Sequence, residues 1–346
     1  MYSPWSLETR SIMEDRLFEE EPMRLTDVTG ILICGAGKMG CDIIAQWLEA
    51  GFNVFVYDND PSNAATARDR VLANLSWIEK KRKDGEKQRV HPDGFAAEMI
   101  ERLTMLESLD QLGDLTDKIQ LVLEVVFEDM VVKQDLLVKL AEIMSDDTIF
   151  LSNTSSLNVL GMAQPAGLEW RMVGTHFMNP AHMMPGVEVV KTTAVNDDVF
   201  QMVVELLADK LGKTPFVVSN VTGFWVNKML VPQMLESLRA LERGEITVKD
   251  GDTGLNVSLG HRQGTFKLWD LIGLDTMLRV ALAMYMATED PRYYPPVTLF
   301  AMVSDGNLGQ KDGAGFYQWD GLKPTGQTEF PQDNNIFTMS EAATAV

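Results

Sequence analysis

Two stretches of this sequence carry residue types that could do chemistry at useful spacing. In GTHFMNPAHMMPGVEVV (174–190), His176 closes an apolar run and Glu188 follows twelve residues later, in a run that reads as a returning strand. An imidazole beside a carboxylate suits general base catalysis at an alcohol. The ring takes the hydroxyl proton, while the carboxylate fixes the tautomer and stabilises the imidazolium that forms. Such assistance contributes roughly 10²–10⁴-fold in rate. From spacing alone the pair reads equally as a buried histidine satisfied by a structural acid. Asn153-Thr-Ser-Ser156 follows another apolar run, 148–151, and brings an amide and hydroxyls to the same predicted sheet edge. The same residues also suit an N-cap for a helix starting near Leu157.

The second stretch is ILICGAGKMG (31–40), read with VFVYD (54–58). Its order is strand, glycine turn, helix, strand, acid. Gly35 is placed for the tight turn, Gly37 for close backbone approach to a pyrophosphate, and Gly40 for a helix lying near the sheet. Lys38 and Met39 belong to the same turn. Phosphates then lie at a helix N-terminus, where unpaired N–H groups and the helix dipole favour anions. Asp58 stands 23 residues after Gly35, placed to accept from both ribose hydroxyls and to repel a 2′-phosphate. NAD(H) is therefore expected over NADP(H).

The elements that must hold these residues follow from the pattern around them. Residues 61–83 read as a long helix with Val71, Leu72, Leu75 and Ile78 on one face. A turn at Asp84-Gly85 and a short helix near 95–102 complete a helical hairpin inserted between strands. Strand-like runs recur at 103–106, 119–125, 148–151 and 172–177, separated by helical patterns at 128–144 and 156–164. Further strands are expected at 187–191 and 215–218, around a helix at 197–211. Strand–helix alternation of this kind predicts a parallel, doubly wound α/β sheet. Beyond 220 the pattern is helical. The expected organisation is an extension at 1–27, a Rossmann-like domain at 28–219, an all-helical domain at 220–320 and an irregular tail at 321–346.

Composition limits what such a chain can do. With 346 residues, two domains are expected. The formal charge of −20 argues against nucleic acid as a partner. No apolar run approaches the ~20 residues of a membrane helix, and no secretory signal is visible at the N-terminus. Two cysteines, Cys34 and Cys41, read as small apolar packing residues, which fits a cytoplasmic protein. His182 has no metal-ligand spacing to other histidines or acids. Asp250-Gly-Asp-Thr-Gly254 resembles a calcium loop until Leu255 and His261 replace its required glycine and glutamate. No metal is expected.

Taken together, the sequence resembles the L-3-hydroxyacyl-CoA dehydrogenase family, including 3-hydroxybutyryl-CoA dehydrogenases. The resemblance runs from about residue 29 to 320. It rests on GAGKMG with Asp58, EVVFEDMVVK (124–133), SNTSSL (152–157), HFMNPAHMMPGVEVV (176–190), TGFWVNKML (222–230), GHRQGTFKLWDLIGLD (260–275) and GQKDGAGFYQW (309–319). It implies a Rossmann-like domain followed by a helical domain that forms most of a homodimer interface. It implies His176 as general base and Glu188 as its orienting partner. Ser155 and Asn227 would bind the substrate near its reacting oxygen and thioester, with Asn179 aligning the site. Asn153, Glu128, Lys133 and Lys311 would serve the cofactor side, and Asn74 and Lys81 would contact CoA. The tip at 80–89 holds six Lys/Arg against two acids, a local cationic patch for a polyanion on an acidic protein.

Gly186 departs from the family, which has a bulky aliphatic residue between Pro and Val-Glu; an enlarged pocket is expected there. Thr222 and Thr265 stand at usual proline positions, and Lys228 at a usual arginine. Two rival readings keep the fold. One is a dehydrogenase of hydroxyacyl groups on acyl carrier protein. The other is a catalytically silent homologue of the lens-crystallin kind, against which the intact His176, Glu188, Ser155 and Asn227 count.

Overall fold

A computed structural model describes residues 24–83 and 91–328, with 81–83 as helix backbone only. The expectations for residues 1–23, for the Lys81 side chain and the rest of the basic tip, and for 329–346 lie outside the described residues. The chain divides into two compact units, Met1–Asn220 and Val221–Val346.

The first unit is built on an eight-stranded sheet of order β3-β2-β1-β4-β5-β6-β7-β8. Its strands are β1 (Gly30–Cys34), β2 (Asn53–Tyr57), β3 (Leu103–Leu106), β4 (Leu121–Glu124), β5 (Ile149–Ser152), β6 (Met172–Phe177), β7 (Gly186–Lys191) and β8 (Thr214–Ser219). The central strands β1, β4 and β5 are buried along their whole length. That is why they read as continuous apolar runs, since helices cover both faces of a parallel sheet. Helix α1 (Lys38–Glu49) packs Ile43, Ile44, Trp47 and Leu48 into the core, and Gly51, with φ +90°, turns the chain out of it.

The sheet is not wholly parallel, which corrects one expectation. Strands β3 to β6 pair in parallel, whereas β7 runs antiparallel to β6, and β8 is parallel to β7. The reason is the connection. Residues 178–185 are too few for the dozen or more that a parallel crossover needs, so the chain turns back beside β6.

Helix α2 (Pro61–Lys83) forms the first arm of the insertion and buries Ala67, Val71, Leu75 and Ile78. Leu72 leaves that face and is exposed, because it sits one residue, about 100° of helix, past Val71. The short helix α3 (Phe95–Met99) is tied back to α2 by Glu79, whose carboxylate accepts from Gly94 N and Ala96 N. Helix α4 (Met130–Ile143) starts at an Asp129 cap, and α5 (Val159–Ala163) at an Asn158 cap. Helix α6 (Asp197–Glu205) runs on into a π turn at Leu206–Lys210.

In the second unit, α7 (Val226–Glu242), α8 (Val248–Leu259), α9 (Thr265–Ile272), α10 (Leu274–Thr288) and α11 (Val297–Ser304) surround a core that includes Leu235, Trp269, Met284 and Phe316. The tail is not irregular from 321 onward. Strand β10 (Lys323–Gln327) pairs antiparallel with β9 (Tyr317–Asp320). Its polar KPTGQ sequence has little strand propensity. The hairpin is instead anchored by Asp270, buried in α9, which accepts from Phe316 N, Tyr317 N and Trp319 Nε1 at 2.8, 2.8 and 2.9 Å. Asp252, part of the rejected calcium pattern, is a helix cap: it accepts from Phe266 N and Lys267 N at the start of α9.

Candidate active site

The glycine turn follows β1. Gly35 has φ +112°, and a Cβ there would lie 2.5 Å from Val125 O. Both the conformation and the space demand glycine. A Cβ at Gly40 would lie 2.1 Å from Gly35 O, so this glycine makes room for the turn's own carbonyl. Around Gly37 a Cβ would meet nothing within 4 Å. The first turn of α1, which includes Lys38 and Met39, has no capping side chain and no acid. An open, uncapped helix N-terminus beside a backbone that no side chain crowds fits a pyrophosphate. Asp58, at the end of β2, accepts from Ala36 N at 2.6 Å and from Asp60 N at 2.8 Å. Its carboxylate is thereby fixed at the turn, where a dinucleotide's ribose would lie.

Next along the sheet edge, a buried charge cluster joins β4, α4 and the SNTSS loop. Glu124 and Lys133 are 0% and 1% exposed, and Lys133 Nζ donates to Glu124 Oε2 at 2.7 Å. The same ammonium lies 3.2 Å from Glu128 Oε2 and donates to Val126 O. Glu124 also accepts from Ser152 Oγ. Glu128 Oε1 in turn accepts from Thr154 Oγ1 at 2.7 Å, Ser155 N at 2.9 Å and Ser155 Oγ at 3.2 Å. Burial opposes the charge on Glu128, but Lys133 and these donors outweigh it and hold its carboxyl below the usual range. Burial likewise opposes the Lys133 charge, and Glu124 and Glu128 outweigh it, raising that group. Glu128 and Lys133 therefore shape the loop that carries Ser155. That loop does not cap the helix in the expected way: the cap of α5 is Asn158, and Thr154 Oγ1 accepts from Leu157 N.

Asn153 links this loop to the next strand, its Oδ1 accepting from Phe177 N at 2.9 Å. His176 and Glu188 are register partners across the antiparallel β6–β7 pair, and so share one face. His176 Nδ1 lies 2.7 Å from Glu188 Oε2, with the carboxylate fully buried. In the connecting segment Asn179 stands before a cis peptide bond to Pro180. The segment is held by Lys213, whose Nζ donates to Ala181 O and Met184 O at 2.6 and 2.9 Å.

Several placements were not legible beforehand. Glu124, an acid inside an apolar strand with a lysine nine residues on, was the available signal for the buried cluster. Asn74 Nδ2 donates to Asp42 Oδ1 on α1 at 2.9 Å, and His182 Nδ1 lies 3.4 Å from the same oxygen. The opening expected at Gly186 is bordered by the neighbouring strand, since a Cβ there would lie 3.4 Å from Phe216 Cε1 and meet no other atom within 4 Å. Two expected residues belong to the second unit. Asn227 lies in the first turn of α7, and Lys311 donates to Asp275 Oδ1 at 2.6 Å.

A glycine turn at a helix N-terminus and a histidine–carboxylate pair at the carboxyl edge of the same sheet are features that a nicotinamide-dependent dehydrogenase uses. Residues 30–221 match the 3-hydroxyacyl-CoA dehydrogenase NAD-binding domain, and residues 223–319 match the family's C-terminal domain. The chain belongs to the 3-hydroxyacyl-CoA dehydrogenase family of NAD-dependent oxidoreductases, and its cofactor is NAD(H). It is 34% identical to a 3-hydroxybutyryl-CoA dehydrogenase of Mycobacterium tuberculosis over 83% of this chain and 97% of that one. Identity to the human mitochondrial hydroxyacyl-coenzyme A dehydrogenase is 31%, over 84% of this chain and 91% of the relative. The crystal structure of (S)-3-hydroxybutyryl-CoA dehydrogenase from Ralstonia eutropha superposes with a TM-score of 0.75 at 30% identity, covering 85% of this chain and 99% of the other.

Proposed function

We propose that the chain interconverts (3S)-3-hydroxyacyl-CoA and 3-ketoacyl-CoA, with His176 as general base. The observation that carries this reading is the 2.7 Å contact between His176 Nδ1 and a fully buried Glu188. A carboxylate accepting from Nδ1–H makes Nε2 the basic nitrogen, which takes the C3-hydroxyl proton as the alcohol is oxidised. Glu188 then stabilises the imidazolium. NAD⁺, when bound, supplies the hydride acceptor. Ser155, Asn179 and Asn227 bind and align the oxygen and thioester, and Asn153 holds the strand edge on which they depend. Asn74 and Lys81 contact CoA; Asn74 Nδ2 gives one of its two donors to Asp42, leaving the other and Oδ1 for that contact.

The second unit is the substrate and dimerisation domain in this reading. Exposed Met229, Val257, Leu259 and Met286 on its helices support a homodimer, which sedimentation of the purified chain tests. No single described helix is long and apolar enough to cross a membrane. Free, buried Cys34 and Cys41 are consistent with a cytoplasmic setting. The test of function is oxidation of NADH with acetoacetyl-CoA, run beside the same acyl group on acyl carrier protein. Turnover with CoA is expected; turnover with the carrier protein alone overturns the choice of CoA. His176→Gln should abolish turnover while NADH binding persists, and unchanged turnover removes His176 from its role.

A further inference from the structure

The His176–Glu188 pair sits between two unlike surroundings on one face of the sheet. Toward β5 lie amide and hydroxyl groups: Asn153, Thr154 and Ser155, gathered by Glu128. Toward β8 the row continues as His176, Glu188, Phe216, each the register partner of the one before. Paired residues point the same way, so Phe216 lies on the face of the dyad. Gly186, two residues before Glu188, is on that face too. Val187 and Val189 point the other way, into the core.

The Phe216 ring leans along the sheet until its Cε1 reaches 3.4 Å from where a Gly186 Cβ would be. A methyl at 186 would just touch this ring edge, and a branched aliphatic side chain would press against it. Gly186 and Phe216 therefore act as a pair, the space left on β7 being bordered by an aromatic side chain from β8. The side chain is only half-buried, so beyond its approach to Gly186 part of it stays open on the face of the dyad.

We propose that Phe216, admitted by Gly186, is the specificity-determining wall of the acyl site. This inference rests on the reading of the chain as a 3-hydroxyacyl-CoA dehydrogenase. The substrate's polarity matches the face: its thioester end belongs on the Asn153–Ser155 side of His176, and its alkyl tail on the Phe216 side. Phe216 stands two strand spacings from His176, roughly 10 Å. At that distance it meets the tail several carbons beyond C3 and leaves a four-carbon substrate untouched. The wall limits chain length rather than supporting catalysis.

The experiment measures kcat/KM for straight-chain 3-ketoacyl-CoAs of increasing length with NADH, in the full chain and in Phe216→Ala, Phe216→Leu and Gly186→Val. Phe216→Ala should raise the long-chain to short-chain ratio by roughly 10-fold, the discrimination a hydrophobic pocket gives for a methylene or more. Phe216→Leu, the variant safest for folding, should shift it in the same direction by less. Gly186→Val should push the ring outward and lower the ratio. An unchanged ratio in both Phe216 variants overturns the proposal. So does an equal fall in kcat at every length with an altered pH profile, which would make Phe216 a packing support for Glu188. If the unaltered chain binds NADH yet reduces no ketoacyl-CoA of any length, it is the underlying functional reading that fails.

Discussion

Lys133→Met removes the cation at the centre of the buried cluster. In the native chain Lys133 Nζ lies 2.7 Å from Glu124 Oε2 and 3.2 Å from Glu128 Oε2. The substitution keeps most of the side chain's volume but leaves a fully buried carboxylate at Glu124 without that ammonium. Removing one partner of a buried ion pair costs about 3–5 kcal/mol. For a unit of this size each kcal/mol moves the midpoint by ~2–4 °C, giving a fall of about 6–20 °C. The pH dependence has a definite sign. Glu128 is held below its unfolded range, so its contribution is complete above ordinary carboxylate values and is lost as pH falls through the lowered value. Lys133→Met removes the Lys133 share of that contribution and leaves the Thr154 and Ser155 donors. The gap between native and variant melts should therefore be widest at neutral pH and narrow in acid. Calorimetric melts across that range check both claims. A fall of less than about 3 °C at neutral pH, or a gap that widens in acid, would refute the reasoning. Adding Glu124→Leu and Ser152→Ala, which removes the stranded groups, should recover about half of the loss.

The remaining expectations concern the site and the second unit. Glu188→Gln keeps a hydrogen-bonding side chain but removes the charge that stabilises the imidazolium; kcat should fall by roughly 10²-fold or more, with NADH affinity, read by fluorescence titration, little changed. Asp58→Ala should weaken NADH binding and narrow its advantage over NADPH, and an unaltered ratio of the two dissociation constants would remove Asp58 from cofactor choice. Reversing Lys81 and Lys83 to Glu should raise KM for the CoA substrate several-fold at low salt and less at high salt; an unchanged KM would return the tip to an ordinary helix end. Asp270 is raised by burial against its hydrogen bonds. Ionising it therefore costs stability, and the second unit should melt lower as pH rises through that raised range, the opposite trend to the Glu128 cluster.

What could be read from the sequence was what residue types dictate locally. The turn at Gly35–Gly40 was legible because φ +112° at Gly35 and a 2.1 Å approach at Gly40 leave no residue but glycine, and such demands leave a fixed spacing. The Rossmann-like sheet and the helical second domain were legible from apolar runs that alternate in period. The direction of β7 was legible only in part: the run holding Glu188 read as a returning strand, yet the strand–helix alternation predicted a parallel sheet, and it is the shortness of 178–185 that decides for the return. Leu72 was misplaced because it sits one residue, about 100° of helix, past Val71 and so leaves the buried face. The β9–β10 hairpin was invisible because Asp270, about fifty residues upstream, holds it through Phe316, Tyr317 and Trp319. Local propensity does not carry that information.

The pair His176–Glu188 shows where the two kinds of information meet. Twelve residues of separation made them candidates, and the antiparallel register made them neighbours on one face. Yet the pair is only one link in a chain of contacts along the sheet edge. Lys133 holds Glu128, Glu128 gathers Thr154 and Ser155, and Asn153 beside them fixes Phe177 N, the residue after His176. The loop that carries Ser155 and the strand that carries His176 are thus positioned by one connected set of hydrogen bonds. Catalysis by positioned groups depends on such preorganisation. Loss of Asn153 should therefore lower kcat even though this residue need not touch the hydroxyl being oxidised. Asn153→Ala is expected to lower kcat more than it raises KM, and a change in KM alone would mean that the loop and the base strand are held independently.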